Sequence, residues 1–126
     1  MHYSLLLLTP ELPRREPDDK AVQTNRAAFD DYAKALHAAG ALVSAIILSP
    51  SIATTTVTVR DGEVAVGGKR RSDGDEQLMG TFVIDVHDRE AAIEWAAKCP
   101  AAERGTVEVR PSVIEFTEGA WRLVTP

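Results

Sequence analysis

Residues 54–66 read Thr-Thr-Thr-Val-Thr-Val-Arg-Asp-Gly-Glu-Val-Ala-Val. Asp61-Gly62 suits the two positive-φ positions of a type I′ turn, so Thr54–Arg60 and Glu63–Val66 are expected to fold back as a hairpin. The turn sets the register. Arg60 falls opposite Glu63, Val59 opposite Val64 and Val57 opposite Val66, giving one opposite-charge pair and two β-branched pairs. Upstream, Tyr3–Leu8 reads as a strand ended by Thr9-Pro10 and followed by a polar, proline-containing loop. A helix is expected from Asp18-Asp19, whose charges suit the positive end of its dipole, to about Ala39. Val22, Phe29, Tyr32, Ala33 and Leu36 form its apolar stripe, and Gly40 stops it. Ala41–Leu48 is a second strand, broken by Ser49-Pro50-Ser51.

Downstream of the hairpin, Gly67–Asp75 reads as a polar loop and Leu78–Val86 as a strand. Asp88 caps a helix over Arg89–Lys98, and Pro100 blocks its extension. Thr106–Arg110 alternates as the last core strand. Residues 1–111 form the domain and 112–126 a tail, in which Val113–Phe116 and Trp121–Val124 are read as added edge pairing. The order is β-α-β, a hairpin, then β-α-β: an α+β, ferredoxin-like layout with a largely antiparallel sheet.

Composition bounds the rest. The chain has 126 residues, 44% hydrophobic and 26% charged, with 14 Lys+Arg against 19 Asp+Glu and a net charge of −5. One domain fits that length. An acidic chain of pI about 5.1 lacks the basic footprint of nucleic-acid binding or of an electrostatic membrane anchor. Cys99 is the single cysteine, so no internal disulfide can form. The Leu5–Leu8 run is short for a signal-peptide core, and no stretch approaches a membrane span; a cytoplasmic protein is expected.

Leu5-Leu6-Leu7-Leu8, Ala45-Ile46-Ile47-Leu48 and Phe82-Val83-Ile84 are apolar at consecutive positions. Successive strand residues point to opposite faces, so these runs call for cover on both sides of the sheet. Two helices cover one side. A second copy, sheet packed on sheet about a two-fold axis, is expected to cover the other, giving a homodimer with a barrel-like core.

The sequence resembles the YCII-related proteins, on the DGPF-domain branch. The resemblance is carried by Met1-His2-Tyr3-Ser4-Leu5-Leu6-Leu7, by Tyr32–Gly40, by Leu48-Ser49-Pro50 leading into Thr54-Thr55-Thr56-Val57, and by Arg60-Asp61-Gly62. It continues through Glu76-Gln77-Leu78 with Gly80, Ile84-Asp85-Val86, and Ala91–Arg110 with its Glu94-Trp95-Ala96 and Val107-Glu108-Val109-Arg110. It implies a ferredoxin-like protomer in a dimeric α/β barrel and, from the frequent company of sigma factors, a regulatory or metabolic link. Two departures stand out. Gly68-Lys69-Arg70-Arg71 occupies the place of the branch's Asp-Gly-Pro-Phe. Phe29 stands where the wider family carries the histidine of a His-Asp pair, and a phenyl ring transfers no proton.

The candidate ligand-binding residues are His2, Thr54, Thr56, Asp73 and Glu76. His2 opens the first strand, where it can face an inter-sheet cavity. Thr54 and Thr56 belong to a hydroxyl row on one strand face. Asp73 and Glu76 lie in the loop that would rim a cleft. No catalytic residue is assigned, and no cofactor or metal is expected: three scattered histidines and one cysteine make no zinc pattern. His37 and His87 read as surface residues, Cys99 as packing, and Lys69-Arg70-Arg71 as an exposed loop tip. Two functions compete. One is a non-catalytic or weakly enzyme-like module that binds a small molecule or a regulatory protein. The other is a small dimeric-barrel enzyme with an acid/base site at the sheet-loop cleft. An oxygenase of similar barrel shape rests on fold analogy alone.

Overall fold

The computed structural model describes residues 1–11, 19–68 and 74–124. Strand β1 (His2–Pro10) buries every second side chain: Tyr3, Leu5, Leu7 and Thr9 lie beneath the helices, while Ser4, Leu6 and Leu8 point the other way. It runs antiparallel between β5 (Glu76–Asp85) and β6 (Thr106–Pro111), and β2 (Leu42–Ile47) pairs with the far side of β5. The resulting order β2-β5-β1-β6, all antiparallel, is compatible with the ferredoxin-like layout.

Helix α1 (Lys20–Ala38) starts where its cap can form. Asp19 Oδ1 accepts from the Ala21 amide at 2.8 Å. It ends at Gly40, φ +71°, where Ala41 N reaches back to Leu36 O at 3.0 Å, a Schellman closure. Its apolar stripe seats Tyr32 and Leu36 in the core, with Phe29 and Ala33 half-buried beside them. Helix α2 (Arg89–Lys98) is capped by Asp88, whose Oδ1 accepts from Ala91 N at 2.9 Å. The two helices meet over β5. The Tyr32 ring lies 5.2 Å from Phe82 and 6.4 Å from Trp95, and the Tyr32 hydroxyl donates to the Trp95 carbonyl at 2.7 Å. Burial pushes the Tyr32 hydroxyl well above its ordinary pKa, so it serves as a fixed donor.

Four points differ from the sequence reading. A short helix α3 (Ala101–Arg104) follows Pro100, which ends α2 and then sits at the start of the next turn. The strands β3 (Thr56–Arg60) and β4 (Glu63–Gly67) hold the expected register, with Asp61 and Gly62 both at positive φ, but form a two-stranded sheet of their own. β5 pairs directly with β2, so the hairpin is an insertion between them. The tail also pairs with itself: β7 (Ile114–Thr117) and β8 (Ala120–Leu123) make a third, two-stranded sheet around Glu118-Gly119. Finally, the uncovered face of the main sheet is mixed. One cross-strand row is Ile46, Thr81, Leu6, Glu108, and the next is Ser44, Val83, Ser4, Arg110. Leu8 and Leu78 extend the apolar part, while β6 adds charge at the rim.

Close backbone approach explains Gly80. A Cβ on Gly80 would run into the Ile46 carbonyl oxygen of the neighbouring strand. Gly80→Ala is therefore expected to lower stability by about 1–3 kcal/mol, read as a lower urea midpoint with an unchanged m-value. Among the described residues no helix is long and apolar enough to cross a membrane.

Candidate functional site

Of the five residues singled out in the sequence, the four that are described, His2, Thr54, Thr56 and Glu76, are spread over separate parts of the fold. His2 lies opposite Asp85 at one end of β1, and Glu76 lies opposite Pro10 at the other, roughly 26 Å away along the strand. Glu76 accepts a long hydrogen bond from Thr106 Oγ1 at 3.4 Å. Thr56 opens β3 opposite Gly67, and Thr54 ends the single 3-10 turn Ser51–Ala53, its amide bonded to Ser51 O. Both threonines belong to the inserted hairpin and its lead-in. Asp73 and Lys69-Arg70-Arg71 lie outside the described residues.

The Glu76 end of the sheet holds an open cleft of about 250 Å³, lined by Thr9, Glu11, Asn25, Pro50, Gln77 and Arg104 among others. Thr9 and Gln77 face each other across β1 and β5, and are the buried polar side chains of a core that is otherwise apolar among the described residues. Gln77 Nε2 donates to Gly74 O at 2.7 Å, which fixes the amide plane. The Glu11 carboxylate accepts from both the amide and the hydroxyl of Ser51, tying the end of β1 to the 3-10 turn. A bulge at this end, between Leu7 and Leu8 in the β1–β5 register, leaves Met79 as the extra residue. Two hydroxyls, two amides, a carboxylate and a guanidinium thus surround one concavity, next to apolar Leu48 and Leu78. That combination orients a small polar molecule. Thr9, Asn25, Gln77 and Arg104 escaped the sequence reading because they come from four separate elements. The one local signal was a threonine at a core-facing position of β1.

The His2 end has a different character. His2 Nδ1 sits 2.8 Å from Glu115 Oε1 on β7, and His2 Nε2 sits 3.9 Å from Asp85 Oδ2. The amine of Met1 donates to Asp85 Oδ1 at 2.7 Å, and this hydrogen bond holds the Asp85 carboxyl below its usual range. Glu115 Oε2 is buried with no hydrogen-bond partner among the described residues. Carboxylates thus stand near both ring nitrogens, Glu115 at Nδ1 and Asp85 at Nε2, and hold the imidazole in place.

A family model, the YCII-related domain, matches residues 4–117. The chain belongs to the YCII-related family. The matched stretch runs through β7 and so takes in Glu115 as well as the cleft. A comparison with curated proteins finds no match. In this YCII-related chain Phe29 packs against the core and lies 6.4 Å from Phe82. The position where the resemblance places a family histidine is thus filled here by a ring that stacks. Cys99 is buried, and burial pushes its thiol up, which suits packing over nucleophilic work. Among the described residues no three His, Cys, Asp or Glu side chains gather as a metal site needs.

Proposed function

We propose that this YCII-related protein is a homodimeric module that binds a small polar molecule in the Thr9–Gln77 cleft, with its two sheets packed face to face as a dimeric α/β barrel. The observation that carries the ligand reading is the side-by-side burial of Thr9 and Gln77 at the mouth of a cleft, with Arg104 on its rim. The bond to Gly74 O holds the Gln77 amide in place at that mouth, and a pocket with a few fixed polar groups orients a small molecule. The exposed guanidinium gives the ligand a class: a small acid, whose anion Arg104 would take while its polar body meets the amides. The dimer is supported by the uncovered Leu6, Leu8, Ile46 and Leu78, and by the free edges of β2 and β6, which a barrel would close. Placement on the DGPF branch rests on the order of the quoted motifs.

A thermal-shift screen of small carboxylic acids, nucleotides and divalent metals tests this. A ligand at one hundred times its Kd adds about 2.7 kcal/mol to the native state, a rise of several degrees in Tm. Small acids are expected to give that rise. Arg104→Ala, at an exposed position, is expected to leave the unliganded Tm unchanged and to weaken the acid at least ~10-fold. Silence across the screen would leave a regulatory-protein partner as the ligand.

The second reading is an enzyme, and one observation favours it: the Glu115–His2 pair, with Nε2 turned toward Asp85. Its proton-transfer centre lies at the opposite end of the sheet from the loop cleft that the sequence pointed to.

A further inference from the structure

Two pieces of this fold carry apolar faces that stand largely exposed among the described residues. On the β3–β4 hairpin Val57, Val59, Val64 and Val66 share one face, each more than half exposed, while Thr56, Thr58 and Ala65 take the other. On β7–β8 the shared face is Ile114, Phe116, Trp121 and Leu123, between 49% and 74% exposed, with Glu115 and Arg122 on the reverse. Phe116 and Trp121 meet edge to face at 5.3 Å. Clean alternation is the pattern of strands with one dry side, and a lone two-stranded hairpin is marginal in water.

We infer that both hairpins are arms that lie against a second copy of this chain. The inference rests on the dimer reading above and extends it. Area argues for this occupant. A four-stranded face about six residues long covers roughly 400 Å², about half of the ~800 Å² per partner that a stable interface needs. The two apolar hairpin faces add roughly 300 Å² more, which brings the total close to that requirement. Continuity argues for it too. The β7–β8 arm is fastened at the rim of the open sheet face: Ser112 N donates to His2 O at 3.0 Å, and Glu115 holds His2 Nδ1. Glu115 lies on the reverse of the aromatic face, so the arm turns its polar side to His2 and leaves Phe116 and Trp121 facing outward, open to a second copy.

The chain has two tryptophans, so Trp95→Phe leaves Trp121 as the sole indole. Its emission and its quenching by iodide are measured across a dilution series, with light scattering on the same samples. The expected result is a dimer whose Trp121 is blue-shifted and at least ~3-fold less quenchable than after dilution to monomer. A dimer with Trp121 as quenchable as free indole overturns the arm while the sheet-on-sheet dimer stands. A monomer at every concentration ends both readings, and a shielded Trp121 in a monomer also overturns the arm. For the valine arm, Val59→Lys with Val64→Lys changes exposed positions and leaves far-UV circular dichroism unchanged. It is expected to raise the dimer Kd ~100-fold or more, and an unaltered Kd removes that arm from the interface.

Discussion

Leu7→Asp is expected to leave no folded protein. Leu7 is fully buried in the centre of β1, with Gly80 opposite it on β5 and Val107 on β6. Leu5, Leu36 and Phe82 belong to the same cluster. A carboxylate there would meet neither water nor a counter-ion, and burying an unpaired charge costs several kcal/mol even after the surroundings relax. The lost leucine contacts add about 2–5 kcal/mol, the usual cost of truncation to alanine at such a site. Domains of this size have only about 5–15 kcal/mol in hand. The expected readout is loss of the cooperative thermal transition and of near-UV circular dichroism, with Leu7→Ala as a graded companion that still melts cooperatively at lower temperature. A cooperative melt of Leu7→Asp near that of the parent chain would mean that β1 does not supply the buried layer assigned to it.

Local chemistry made part of this fold readable in the sequence. Asp61-Gly62 fixed both the turn and the pairing of Val57 with Val66, because a two-residue loop admits one register. Asp19, Gly40 and Asp88 marked helix ends because caps act over a few residues. What such chemistry could not say is which strand a correct hairpin would join. The valine pairs fit a sheet edge as well as they fit an arm, and the choice was made by β5 pairing with β2. The tail shows the same limit. Ile114, Phe116, Trp121 and Leu123 alternate as strands should, and Glu118-Gly119 is the two-residue turn between them, yet the partner of each strand proved to be the other. The candidate sites were less legible still. His2 and Glu115 stand 113 positions apart, and Thr9 faces Gln77 only because β1 and β5 pair. Sequence spacing carries no trace of such meetings. His2 could be named as a residue of interest, but its carboxylate partners could not.

Leu6→Asp, one position away from Leu7, is expected to give a folded monomer. Leu6 points to the uncovered side of β1, between Thr81 on β5 and Glu108 on β6. In a lone protomer that side meets solvent, so a carboxylate there is hydrated and stability changes little. In the proposed dimer each copy would bury one such carboxylate beside Glu108, and the two-fold axis makes every copy bear the change. Several kcal/mol per buried charge correspond to a dimer Kd raised ~1,000-fold or more. Sedimentation velocity should show a single monomer-sized species whose far-UV circular dichroism matches the parent, with thermal unfolding still cooperative. The contrast between neighbours is what gives the experiment its force. Two residues adjacent in the chain, both leucine, should fail in opposite ways, one by losing the fold and one by losing the partner. If Leu6→Asp remained a dimer, the open sheet face would not be the contact, and the valine and aromatic arms would then have to hold the two copies together without it. If it failed to fold even at low concentration, the protomer would depend on its partner for folding, and the four-stranded sheet under two helices would not stand alone.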